Sequence, residues 1–130
     1  SDKLVDMWQH RSSRDYELDD IMMLKVGRHI RPNDNFKMIV GRELGENKFM
    51  EGYRKTYPYI HSVSHKGPLV LLDGTISESD AELAARIAAR FGQGRDADEV
   101  EMSVTYPDGK NTVLKVKPMS SDEIDQKWYV

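Results

Sequence analysis

Along this chain the apolar positions switch between a period of two and a period near 3.6, and each switch marks an element. From Leu24 the pattern alternates: Leu24, Val26, Arg28 and Ile30 fall on one side, Lys25, Gly27, His29 and Arg31 on the other, which predicts a strand. Pro32-Asn33-Asp34-Asn35 is a turn cluster and Phe36 to Val40 a returning strand, so residues 24–41 read as a hairpin. Glu43 to Lys55 reads as a helix with Leu44, Phe49 and Tyr53 inward. It stops at Tyr57-Pro58, because the residue before a proline is driven out of the helical region. Tyr59 to Val63 and Leu69 to Leu72 read as two further strands. Ser77, with Asp80 three positions on, forms a capping-box variant that opens a helix running to about Phe91. Leu83, Ala84, Ile87, Ala88 and Phe91 make its apolar stripe, and Gly92 and Gly94 end it. Val100 to Tyr106 and Thr112 to Val116 alternate on either side of Pro107-Asp108-Gly109, a second hairpin.

Strands grouped in hairpins and interrupted by two helices predict an α+β domain. Its expected form is an antiparallel-dominated sheet of about six strands, with two main helices on one side and the other face open. The ends are less patterned. Residues 1–23 read as a lead-in with a short helix over Asp15 to Met23, 24–118 as the domain, and 119–130 as an acidic, mobile tail. A chain of 130 residues suits one domain, and a start on Ser1 without methionine is expected of a piece of a longer protein.

Composition removes several chemistries. With no cysteine there is no disulfide, thiolate metal site or cysteine nucleophile. The longest apolar run is Leu69-Val70-Leu71-Leu72, far below the roughly 18 residues of a membrane helix, so the expected location is the cytoplasm with no membrane partner. Net charge is −3, but unevenly spread. Residues 25–66 hold nine Lys/Arg against four Asp/Glu, a surplus of five, whereas 67–130 hold seven against twelve, a deficit of five. Such a chain can present a basic face despite its acidic total.

His61 and His65 have the spacing of a helical zinc pair, but on a strand they sit about 13 Å apart at roughly 3.3 Å per residue, so no metal is expected. Ser62 and Ser64 beside them are neighbours in sequence, which does not make a triad. Gly92-Gln93-Gly94-Arg95 follows a helix, whereas phosphate-cradling glycines precede one, so it reads as a helix stop. Gly41-Arg42-Glu43 does precede a helix; it is either an anion site for one phosphate or an ordinary turn. Asp19-Asp20 and Asp98-Glu99 read as solvated surface. No catalytic residue and no cofactor are expected. What remains is a run of bases interleaved with aromatics: Lys25, Arg28, His29, Arg31, Lys37, Arg42, Arg54, Lys55, His61, His65 and Lys66, with Phe36, Tyr53, Tyr57 and Tyr59 among them. Cations neutralise phosphates and Tyr or His rings stack on splayed bases, so this pattern points to RNA.

On these residues the segment Leu24 to Pro118 resembles the NFACT-R RNA-binding domain, a module of ribosome-quality-control and fibronectin-binding-protein-like proteins. Lys37-Met38-Ile39-Val40-Gly41-Arg42 is similar to the family's strand ending in glycine, and Glu43 to Asn47 to the helix start that follows. Tyr59-Ile60-His61, Gly67-Pro68-Leu69-Val70-Leu71-Leu72 and the alanine-rich Ala84 to Arg95 resemble the elements that come next. More narrowly, Leu24 to Arg31 followed by Ile39-Val40-Gly41-Arg42 resembles the variant found behind an ATP-pyrophosphatase domain in bacterial tRNA-thiolation-type proteins. The family's Pro-Gly-Ser-His element is replaced by His65-Lys66-Gly67-Pro68, and no pyrophosphatase loop is present. The resemblance therefore implies a non-catalytic, tRNA-binding C-terminal domain that presents tRNA to a catalytic ATP-pyrophosphatase domain of the same parent chain, and it adds Arg95 to the RNA contacts. Neutralising about five phosphates would give a salt slope near −3.5 to −4.5. Replacing Arg28 and Arg31 together is expected to weaken binding and spare the thermal midpoint. The rival reading is a protein–protein docking module that never touches RNA; a small hydrolase using His61 or His65 is a third.

Overall fold

The structure is a computed structural model that describes residues 2–10 and 23–130. Strands β1 (Arg28–Ile30), β2 (Phe36–Val40), β3 (Tyr59–Ser62), β4 (Val70–Gly74), β5 (Val100–Thr105) and β6 (Asn111–Val116) form one sheet in the order β1-β2-β4-β3-β5-β6. Every neighbouring pair is antiparallel. Helices α1 (Asp2–His10), α2 (Leu44–Glu51) and α3 (Glu78–Arg90), with a 3-10 turn at Gln126–Trp128, complete the described elements. The α+β class and the six-stranded antiparallel sheet are those the pattern predicted. The short helix expected over 15–23 falls almost wholly outside the described residues.

Helix α3 starts where the capping box places it. The Asp80 N–H donates to Ser77 Oγ at 3.1 Å, and the Ser77 N–H donates back to Asp80 Oδ2 at 3.2 Å. Its stripe of Ala84, Ala85, Ile87, Ala88 and Ala89 is buried against one sheet face, where Phe36, Met38, Val40, Ile60, Val70, Leu72, Met102 and Val104 point. The alanines let the helix backbone approach the strands closely.

The two helices do not share a side. Ile39 and Leu71 alternate with those core positions and so face the other way, and there they join Met23, Met50, Tyr57 and Leu69 in a second cluster. Met50 of α2 belongs to that second cluster, whereas Leu44, expected inward, is 70% exposed. Strand β2 is consequently buried on both faces, including Lys37. The face expected to be open is thus covered at its β2–β4 end.

Two further expectations change. The first hairpin strand shrinks from 24–31 to three residues. Residues 23–26 form a turn closed by Val26 N–H to Met23 O, and Gly27 at φ +75° ends the extended run; a side chain there would lie 2.9 Å from Val40 O. Residues 119–130, expected to be a mobile tail, are docked. Met119 and Ile124 are buried, and Tyr129 bridges to Ile30. Arg31 N–H donates to Trp128 O at 2.7 Å and Val130 N–H to His29 O at 3.2 Å. Two apolar residues five positions apart show no period, so only the docking reveals them.

Candidate nucleic-acid interface

The sheet's pairing brings four basic residues from distant segments to one end. Arg28 of β1 lies opposite Val40 of β2, and Val40 opposite Val70 of β4. Gly41 and Arg42 continue from β2, the β3–β4 loop supplies Lys66, Gly67 and Pro68, and the segment after α3 supplies Gly92, Gln93 and Arg95. Together they enclose a cleft of about 440 Å³, lined by the cations Arg28, Arg42, Lys66 and Arg95. The loops are locked together: Gln93 N–H donates to Lys66 O at 2.7 Å, and a side-chain carbon on Gly92 would sit 3.0 Å from that oxygen and 3.3 Å from Gly67 Cα. Glycine at 92 therefore sets how near Lys66 stands to Arg95.

Among the described residues Arg28, Lys66 and Arg95 pair with no carboxylate. The Arg28 guanidinium lies over the Phe91 ring at 5.3 Å and the Tyr129 ring at 6.0 Å, contacts that attract the cation without neutralising its charge. Arg42 is half-exposed and bonded to Glu46 at 2.7 and 3.0 Å. Glu46 also accepts from the Gly27 N–H at 2.9 Å. The Arg42 guanidinium and then the Gly27 amide hold its carboxyl down to about 2, and Glu46 raises Arg42 in turn.

A second depression, of about 720 Å³, shares Lys66 and Gly67 with the first and adds Arg54, His61, Ser62, Val63, Ser64 and His65. Seven of the residues singled out from sequence thus line these two hollows: Arg28, Arg42, Arg54, His61, His65, Lys66 and Arg95. Lys25 and Lys55 are exposed and line neither.

The other three are corrected. His29 is 1% exposed, its Nε2 bonded to Val26 O at 3.0 Å and Met23 O at 3.2 Å, and burial followed by the Lys37 charge lowers it to about 4. It is a neutral core residue. Arg31 grips Asp6 of α1 with two bonds, 2.6 and 3.0 Å, and Lys37, 2% exposed, lies 3.8 Å from the same carboxylate. Alternation along a strand shows which residues share a face, but not that α1 covers that face. Sequence reasoning also missed Asn47, Phe91 and Gln93 as cleft residues. The only available signal was Gly92-Gln93-Gly94-Arg95, and its reading as a helix stop hid a second role.

Among the described residues no three His, Cys, Asp or Glu side chains gather as a metal site, and no helix is long and apolar enough to cross a membrane. The model of the NFACT protein RNA binding domain matches residues 27–129, which include every residue lining both hollows. The chain belongs to this family. No curated protein matches it. Among solved structures, this NFACT domain is similar to the C-terminal part of the fibronectin/fibrinogen-binding protein of Streptococcus suis, with a TM-score of 0.61 at 16% identity. The match covers 81% of this chain and 50% of that one, so the NFACT domain spans about half the length of its structural relative and shares its fold.

Proposed function

We propose that this NFACT domain binds RNA, tRNA in particular, through the cleft between β1, the β3–β4 loop and the end of α3. One observation carries the reading: four cations from four separate segments converge on a single hollow, three of them without an acidic partner among the described residues. A stable fold that brings unpaired like charges together is supported when a polyanion occupies the space between them. The domain's own contribution is binding. The resemblance of Leu24 to Arg31 and Ile39 to Arg42 to tRNA-thiolation-type proteins supports a setting in which it presents tRNA, in the cytoplasm, to an ATP-pyrophosphatase domain that transfers sulfur.

Titration with total tRNA, followed by amide NMR, tests this. Shifts are expected at Arg28, Gly41, Arg42, Lys66, Gly67, Gly92, Gln93 and Arg95. If those amides stay still with tRNA and move with a partner protein, the cleft is a protein-docking surface and the reading fails.

A further inference from the structure

The two hollows share Lys66 and Gly67 but differ in chemistry. We infer that they form one track for an unpaired RNA strand, in which the cleft holds the sugar–phosphate backbone and the depression around His61 and His65 takes a nucleobase turned out of its stack. This rests on the RNA reading above.

The cleft offers mainly charge: three guanidinium groups and an ammonium. The depression adds the rings of His61 and His65 and the hydroxyls of Ser62 and Ser64 to the cations Arg54 and Lys66. His61 is exposed, its ring 6.3 Å from that of Tyr59 and within 23° of parallel, while the Arg54 guanidinium lies 5.1 Å over Tyr59. His61 therefore stacks on Tyr59 alone, and its nitrogens make no hydrogen bond among the described residues.

Ser64 Oγ accepts from the Glu101 N–H at 3.0 Å and lies 2.8 Å from His65 Nδ1, so one edge of the His65 ring is engaged by Ser64. His65 is braced from behind, since a side-chain carbon on Gly94 would lie 2.8 Å from its Cγ. Ser62 Oγ, buried at the wall of the same depression, finds no protein partner. A hydroxyl with unused hydrogen-bonding capacity and the two imidazole rings, neither of which the cleft has, give this depression groups that suit the edge and face of a base. A duplex delivers a base here only by unpairing and unstacking it, at a cost an unpaired strand avoids.

The test is fluorescence anisotropy with a labelled single-stranded RNA of about twelve nucleotides and the same strand annealed into a blunt duplex. The wild-type domain is compared with His61→Ala, Ser62→Ala and the cleft variant Arg28→Gln/Arg95→Gln. The single strand should bind at least tenfold more tightly than the duplex. His61→Ala should cost the single strand roughly tenfold, as the loss of one base stack does, and leave duplex affinity and the salt slope unchanged. Ser62→Ala should weaken only the single strand. Equal affinity for the two RNAs, or an inert His61→Ala while the cleft variant weakens both, overturns the track and leaves the cleft reading standing. Binding of neither RNA overturns both.

Discussion

Removing two of the unpaired cleft charges should change how RNA binding responds to salt. In Arg28→Gln/Arg95→Gln the amide keeps part of each stem and removes the charge. With Arg28, Lys66 and Arg95 free and Arg42 shared with Glu46, the cleft neutralises three to four phosphates. At about −0.7 per phosphate for a single strand, the wild-type slope of log affinity against log salt is about −2.1 to −2.8. That is shallower than the sequence-based expectation, because His29, Arg31 and Lys37 are withdrawn from the surface. The double variant should show about −0.7 to −1.4. Between 50 and 200 mM monovalent salt, wild-type affinity should then fall about 20- to 50-fold and the variant's only about 3- to 7-fold. The assay is anisotropy at five or six salt concentrations, with Arg31→Gln as control. Arg31 is engaged by Asp6, so its loss should leave the slope alone. Stability should hardly move in the double variant: Arg28 loses exposed cation–π contacts worth about 1 kcal/mol, a few degrees of thermal midpoint at most. A slope unchanged within 0.3 would place the phosphates elsewhere and refute the cleft as their site.

Other expectations concern the groups around the cleft. Asp6→Ala removes the carboxylate that Arg31 grips at a buried position and should destabilise the domain by roughly 3 kcal/mol in urea unfolding, with a loss below about 0.5 showing that this ion pair contributes nothing. For the same reason, replacing Arg28 and Arg31 together should lower the thermal midpoint, contrary to what the sequence alone suggested. His29 is held near 4 when folded and 6.5 is ordinary, so the unfolded chain takes the proton first; its contribution is present above pH 6.5 and is lost as pH falls from 6.5 towards 4, about 3 kcal/mol in all. His29→Gln should flatten the wild-type fall in stability over that window, and parallel curves for the two proteins would contradict it. Glu46→Gln frees Arg42 for phosphate while its amide oxygen can still accept from Gly27, so RNA affinity should rise a few-fold and the slope steepen by about 0.7, whereas unchanged or weaker binding would show Arg42 to be a structural cation.

Local pattern was enough for the elements whose causes are local. The capping box at Ser77, the alanine stripe of α3, the turn at Asp108-Gly109 and the alternation in β5 and β6 are set by neighbours within a few residues, and each element stands where those neighbours imply. The class and the sheet followed from them. Lys25 to Lys66 also carried most of the cleft's charge in plain view. Which cations stay free was not visible, because that depends on groups brought in from a distance: Asp6 on Arg31 and Lys37 from α1, and the C-terminal segment laid along β1. Arg95 joins Arg28 only because antiparallel pairing brings the end of β2, the β3–β4 loop and the end of α3 to one edge of the sheet. Period and capping are properties of a chain's own backbone geometry, readable one segment at a time. Burial, ion pairing and the convergence of charge belong to surfaces that meet only after the sheet has closed, and only the tertiary structure decides them.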